Sequence, residues 1–379
     1  MNRLLALGKW GAPFLLPRLT RADLWLLGAT LGLVGFGIVM VFNVSYFRAQ
    51  DLYGAPYAFF FKHVAAAAAG GVLLVAVSRV RPELFERWAG TLYLIGLGLL
   101  VLVLIPGIGV ARGGARRWLP FPGFSLQPAE LVKITTVIYL ARWISRRQDR
   151  MHHFASGILP ALVSVGCVAA LMVLQPDFGT AAIIGAVLLL MLFVGGARPI
   201  HIAGLGAIAL VVLSVGVMLA EYRMRRFLAF LDPWQHSQDS AFQLVQSLIA
   251  FGSGGITGVG LGQSRQKLFF LPEAHTDFIF ALIGEELGLV GALIVLLLFA
   301  IVAARGFRIA ARHPDRFASL LAFGLTLMLV LSAVVNVAVV LGLLPTKGLA
   351  LPFLSYGGSA LTSSLVQVGM LAALSRMTG

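Results

Sequence analysis

Ten stretches of mostly apolar residues, each long enough to cross a lipid bilayer as a helix, constrain this chain more than any other feature. They fall at 22–46, 58–78, 84–107, 127–144, 156–174, 177–195, 200–220, 277–303, 317–342 and 352–375. A spanning helix needs about 20 such residues at roughly 1.5 Å rise each. The runs are continuous in Leu, Ala, Val and Gly, whereas the strands of a membrane β-barrel alternate in polarity, so the prediction is all-helical. With 59% hydrophobic and 12% charged residues, the chain is too apolar for a water-soluble domain. The predicted architecture is an all-α polytopic membrane domain over 22–375, flanked by a cytoplasmic segment 1–21 and a cytoplasmic tail 376–379.

A formal charge of +14 raises the question of nucleic acid, but the placement of the cations answers it. Arg3, Lys9, Arg18 and Arg21 precede the first run, and Arg79, Arg81 and Arg87 follow the second. Arg142, Arg146, Arg147 and Arg150 follow the fourth, Arg198 the sixth, Arg305, Arg308, Arg312 and Arg316 the eighth, and Arg376 the last. These connections all lie on one side, so the positive-inside rule predicts cytoplasmic termini and gives no reason for a nucleic-acid partner. The first run lacks a small-residue cleavage site and is expected to persist as an uncleaved anchor. Cys167 is the only cysteine, which rules out an internal disulfide or a Cys-based metal site, and its apolar surroundings predict a packing role.

Most connections are short, but those at 108–126 and 221–276 are not, and long loops in compact folds tend to carry function. Both are predicted to face the extracytoplasmic side. The first is punctuated by Gly and Pro and carries Arg112, Arg116, Arg117 and Trp118. The second opens on Arg223, Arg225 and Arg226, turns at Asp232-Pro233-Trp234 and continues through FQLVQSLIAFGSGGITGVGLG. That last stretch is too short and too glycine-rich to span, which predicts a helix lying in the interface or re-entering it.

Ionised groups in or beside hydrophobic spans are costly and therefore informative. Gln127, Glu130 and Lys133 recur at i, i+3 and i+6 near the start of the fourth run, where Glu130 and Lys133 can pair. Asp177 follows Pro176 at the head of the sixth run and suits an N-cap at least as well as a chemical role. Glu273, His275, Thr276 and Asp277 enter the eighth run, with Glu285 and Glu286 inside it. Asp277 is expected in the first helical turn, where the helix dipole favours its anion. Glu285 lies about 12 Å deeper by helical rise and cannot share a reacting atom with it. His275 has no second His or Cys at ligand spacing, so a hydrogen-bonding scaffold is the expected role. The glycines of GSGGITGVGLG lack the strand context and the Gly-Lys-Ser/Thr ending of a phosphate loop.

Four separated motifs, RRWLPFPGFSLQPAELVK, QPDFGT, HTDFIF with EELG, and LPTKGLALPFLSYGGSAL, resemble the SEDS proteins (shape, elongation, division, sporulation) in their expected order. Ala274 and the Thr346-Lys347 pair make the resemblance closer to the division-type branch than to the elongation-type branch. It implies the ten-helix SEDS fold, in the cytoplasmic (inner) membrane, with the large loop between helices 7 and 8. The activity it implies is a glycosyltransferase that polymerises lipid II into β-1,4-linked glycan on the outer membrane face, working with a class B penicillin-binding protein and other division-complex membrane proteins. The family's essential aspartate falls on Asp277. The resemblance also carries Arg116, Arg117, Trp118, Gln127, Glu130 and Lys133 into the site.

The chemistry agrees with that expectation. A carboxylate can accept the proton of an attacking sugar hydroxyl, and cations can stabilise a departing diphosphate. Arg116, Arg117 and Lys133 are the leading candidates for the second task, ahead of Arg223, Arg225, Arg226 and Lys347, while His275 and Thr276 flank the base. No cofactor is evident, and these residues neither require nor exclude a divalent cation at the diphosphate. Two other functions fit an apolar chain of this kind. One is a flippase for lipid II, although transporters usually place polar groups near the bilayer midplane. The other is a non-catalytic scaffold, with Gly284, Gly288 and Gly291 admitting a partner's spanning helix.

Overall fold

The computed structural model describes residues 22–112, 114–268 and 271–377. The predicted segment 1–21 with its four cations lies outside the described residues, as do the last two residues of the predicted tail. All ten apolar runs are helical: α1 (Leu24–Tyr53), α2 (Ala58–Val77), α3 (Pro82–Leu104), α4 (Pro128–Ser145), α5 (Leu159–Leu174), α6 (Phe178–Val194), α7 (Pro199–Met218), then α10 (Ile279–Arg312), α11 (Arg316–Val340) and α12 (Gly358–Ser375). A π-helical turn at Phe154–Ile158 leads into α5. Among the described residues, eight helices are long and apolar enough to cross a membrane. Of the remaining two runs, α6 has only 17 residues, and α4 carries Glu130, Lys133 and Arg142 within its 18. The chain is a multi-pass membrane protein.

The helix starts follow local chemistry. Proline opens α3, α4 and α7, where its missing N–H costs nothing. Asp23, Asp177 and Asp315 cap α1, α6 and α11 by accepting from backbone N–H groups of the first turn, so Asp177 takes the N-cap role anticipated for it. The core centres on α11, which packs against α10, α4 and α6, while α2 lies along α12. By contrast α7 buries only Leu205, leaving an apolar surface suited to lipid. Cys167 is exposed on α5, so the expected packing role is not found: its side of that helix faces outward.

Both long loops hold structure that their glycines and prolines concealed. Residues 110–126 form an antiparallel meander of β1 (Val110–Arg112), β2 (Ala115–Phe121) and β3 (Phe124–Leu126). Two short helices, α8 (Glu221–Leu231) and α9 (Phe242–Gly254), occupy the second loop, and α9 packs on α10 and α11 beside the bundle.

The eighth run is not one continuous helix, because α10 breaks at Gly288, whose φ of 64° favours glycine. The break frees backbone groups inside the bundle, and the segment after α9 satisfies them. Val259 and Gly260 donate to the carbonyls of Glu285 and Glu286 at 3.0 Å, and Leu289 and Val290 donate to Gly255 and Ile256 at 2.9 and 3.1 Å. A Cβ on Gly288 would strike Ile256 and Gly258, and one on Gly284 would strike Phe251. These two glycines therefore serve contacts within the chain, which corrects the expectation that they admit a partner's helix.

Candidate active site

The turn at 272–278 is built before α10 begins. Glu273 adopts a left-handed conformation, φ 55°, and its carbonyl accepts from the N–H groups of Thr276 and Asp277, both at 3.1 Å. Thr276 Oγ1 also donates to the Glu273 carboxylate at 3.1 Å, and Arg48 of α1 pairs with that carboxylate at 2.9 Å. Three consecutive carbonyls are then held from other elements. Tyr356 N–H donates to His275 O at 2.9 Å, Ser355 Oγ donates to Thr276 O, and Asn336 Nδ2 donates to Asp277 O at 2.9 Å. The same Asn336 nitrogen donates to Leu349 O at 2.6 Å, joining the turn to the 341–357 loop.

This scaffold fixes the backbone of Asp277 and leaves its carboxylate open. Among the described residues, no hydrogen bond or ion pair reaches the carboxylate oxygens, and the residue is only partly buried. A Cβ on Gly348 would lie 2.8 Å from Oδ2, so glycine keeps the space beside the carboxylate clear. Burial and the Glu273 carboxylate push the Asp277 carboxyl up to about 7, against the downward pull of the Arg117 and Arg226 guanidinium groups. The helix dipole expected to favour the anion does not prevail, since α10 starts two residues later, at Ile279. His275 is buried against the Phe59 ring at 5.0 Å and the Tyr356 ring at 5.6 Å. Desolvation draws it down to about 4, which makes it a neutral scaffold at physiological pH.

The candidate cations do not all reach the site. Arg117 reaches the site from β2, donating from Nε to Gln175 O at 2.8 Å and from Nη2 to Pro176 O at 2.5 Å. Lys347 Nζ lies 5.3 Å from the Phe178 ring centre, and the Arg223 guanidinium lies 4.3 Å from the same ring. Burial lowers the Lys347 pKa while Asp177 raises it. Arg116 is carried elsewhere: neighbouring residues of a strand point to opposite faces, and its Nη1 donates to Leu104 O at 3.3 Å, tying the meander to α3. Trp118 lies opposite Val110 in the sheet register. Lys133 pairs with Glu130 at 2.9 Å as predicted, both nearly buried; Gln127 N–H donates to Ser359 Oγ and Glu130 O accepts from Ser363 Oγ, both at 3.0 Å, joining the start of α4 to α12. Arg225 spends its charge on Glu221, at 2.6 Å on the exposed face of α8. Among the described residues, no group of three His, Cys, Asp or Glu side chains is placed to hold a metal.

The family profile FtsW/RodA/SpoVE, described as "Cell cycle protein", matches residues 24–379. The chain belongs to the FtsW/RodA/SpoVE family. It is 43% identical over 365 residues to the probable peptidoglycan glycosyltransferase FtsW of Geobacter metallireducens, covering 96% of this chain and 97% of that one. A chain from a peptidoglycan synthase complex that coordinates polymerization and crosslinking superposes with a TM-score of 0.77 at 29% identity, covering 94% of this chain and 98% of that one. The rod shape determining protein RodA of Thermus thermophilus superposes with a TM-score of 0.72 at 26% identity, over 96% and 99% of the two chains. The higher identity to FtsW bears out the division-type resemblance.

Within this FtsW/RodA/SpoVE fold, Asn336 holds the Asp277 and Leu349 carbonyls yet has no motif of its own in the sequence. It is a lone amide in the apolar run of α11, 1% exposed, and only the cost of burying an unpaired amide marked it. Gly348 was equally silent, because its importance is the absence of a side chain. Gly348→Ala is expected to reduce glycan synthesis at least about tenfold by crowding Asp277 Oδ2, a near-attack misplacement. Expression and melting temperature should stay near those of the wild type, and unchanged turnover in a polymerisation assay would refute the assigned contact.

Proposed function

We propose that this chain is a peptidoglycan glycosyltransferase that polymerises lipid II into β-1,4-linked glycan on the outer face of the cytoplasmic membrane, with Asp277 as its general base. The unpaired Asp277 carboxylate, held near neutrality beside Arg117 and Arg226, carries the reading. The acceptor's 4-hydroxyl gives its proton to Asp277 as its oxygen attacks the donor's anomeric carbon. The bond from that carbon to the diphosphate breaks with inversion, and undecaprenyl diphosphate leaves. Arg117, Arg226, Arg223 and Lys347 meet the charge that develops on the leaving group, and this reading uses no cofactor. With Asp277 on the outer face, the arginine-rich ends of α4 and α10, and Arg376 after α12, lie in the cytoplasm together with both termini. A class B penicillin-binding protein is the partner that crosslinks the product, in keeping with the synthase complex whose chain this one resembles.

The test is polymerisation of lipid II by the purified chain in detergent, with and without its transpeptidase. A flippase makes no glycan there, because it needs two compartments. The rate should rise with pH through about 7, since the base works only when deprotonated. Arg117→Gln removes a cation that favours the anion and should move the inflection upward. Glu273→Gln removes a neighbouring anion and should move it downward. A profile that stays in place in both variants would remove Asp277 from the base role.

A further inference from the structure

At the end of α4 remote from the candidate active site is a cavity of about 640 Å³, lined by Tyr139, Arg142, Trp143, Arg146, Arg147, Asp149 and Arg150. The 18 residues of α4 put it about 27 Å from Gln127 along the helix axis. Its wall is an aromatic column: Tyr93 stacks on Tyr139 at 4.5 Å, and Tyr139 stacks on Trp143 at 6.3 Å. Trp143 Nε1 donates to Gly157 O at 3.0 Å, which fixes the ring, and the Arg147 guanidinium lies 3.5 Å from the ring centre. Arg146 is spent on Glu86 at 2.9 Å. Among the described residues, Arg142, Arg147 and Arg150 make no ion pair.

We propose that this cavity binds the phosphodiester headgroup of an anionic phospholipid. Tyr139 lies seven residues before Arg146, about 10 Å deeper in the membrane, so the cavity runs from an aromatic wall at acyl-chain depth to a mouth of guanidinium groups. A phospholipid has the same order of parts, glycerol and chains below and phosphate above. Basic pockets between helices at a cytoplasmic face recognise such headgroups, and guanidinium forks match phosphate oxygens in a way an ammonium does not. Positive-inside topology alone calls for charge; it does not call for a cavity, a fixed indole or arginine rather than lysine.

That difference supplies the test. Native mass spectrometry of the delipidated full chain, titrated with phosphatidylglycerol or phosphatidylcholine, should show a preference of about fivefold or more for phosphatidylglycerol, of the order expected for one interfacial cation. Arg147→Lys/Arg150→Lys keeps the charge and the topology but loses the guanidinium forks, and should lower the preference at least about twofold while lipid II polymerisation stays at the wild-type rate. Equal occupancy by the two lipids in the wild type, or an undiminished preference in the double variant, would overturn the proposal. Displacement of the lipid by about 10 mM inorganic phosphate would also overturn it, because the site would then take a soluble anion instead of a headgroup.

Discussion

Asp277→Asn is expected to cut glycan synthesis by roughly 10²- to 10⁴-fold, the usual contribution of a positioned general base, while the protein inserts and folds as the wild type does. Activity and stability separate here because the backbone of residue 277 is held by Asn336 and the turn, whereas the described residues place no hydrogen bond on its carboxylate. An amide of nearly the same shape therefore breaks no contact. It also relieves the cost of carrying an ionisable group in a partly desolvated place, so the melting temperature should hold or rise slightly. Asn336→Leu should behave differently. Two carbonyls, of Asp277 and Leu349, lose their donor, and the turn and the 341–357 loop lose their common anchor. Activity and stability should fall together in that variant.

The second large effect falls on stability. Glu285 and Glu286, whose purpose the primary structure left open, are 2% and 0% exposed. Glu285 accepts from Ser264 Oγ and from Arg265 N–H at 2.9 Å. Glu286 accepts from Asn43 of α1, and Lys267 Nζ lies 3.4 Å from it and 2.8 Å from Asn43 Oδ1. Together these bonds pin the 255–268 segment between α1 and the broken part of α10. Lys267→Met leaves the buried Glu286 carboxylate without its cation, and stability should fall by about 3–5 kcal/mol, the cost of breaking a buried pair from one side. Lys267→Met/Glu286→Gln removes charge from both sides and should recover part of the loss. Thermal melting in detergent checks both variants. A change below about 1 kcal/mol in Lys267→Met would mean that the pair is not buried in the working protein.

What could be read from the residues, and what could not, divides along physical lines. Bilayer thickness sets helix length, so the ten apolar runs that become helices were visible in the residues, including α4 with its buried Glu130–Lys133 pair. The break at Gly288 was not, because glycine is common inside spanning helices and only the docked 255–260 segment gives its left-handed φ a purpose. Arg116 and Arg117 looked equivalent in a loop. They part only because β2 is a strand, which sends one toward Asp277 and the other to Leu104. Asp277 itself was marked by charge beside an apolar run with Glu273 four residues before it, yet its raised pKa depends first on burial, which spacing along the chain does not reveal. Asn336 and Gly348 carry no charge, and only the packed structure brings them to the carboxylate.

The central claim is that residue 277 receives the proton of the attacking hydroxyl. The measurement that tests it most directly is a structure of the Asp277→Asn protein trapped with lipid II as donor and a short glycan as acceptor. The account predicts the acceptor's 4-hydroxyl within about 3 Å of the side chain at position 277, with the diphosphate against Arg117 and Lys347. An acceptor hydroxyl held by another carboxylate, with position 277 out of hydrogen-bond reach, would contradict it.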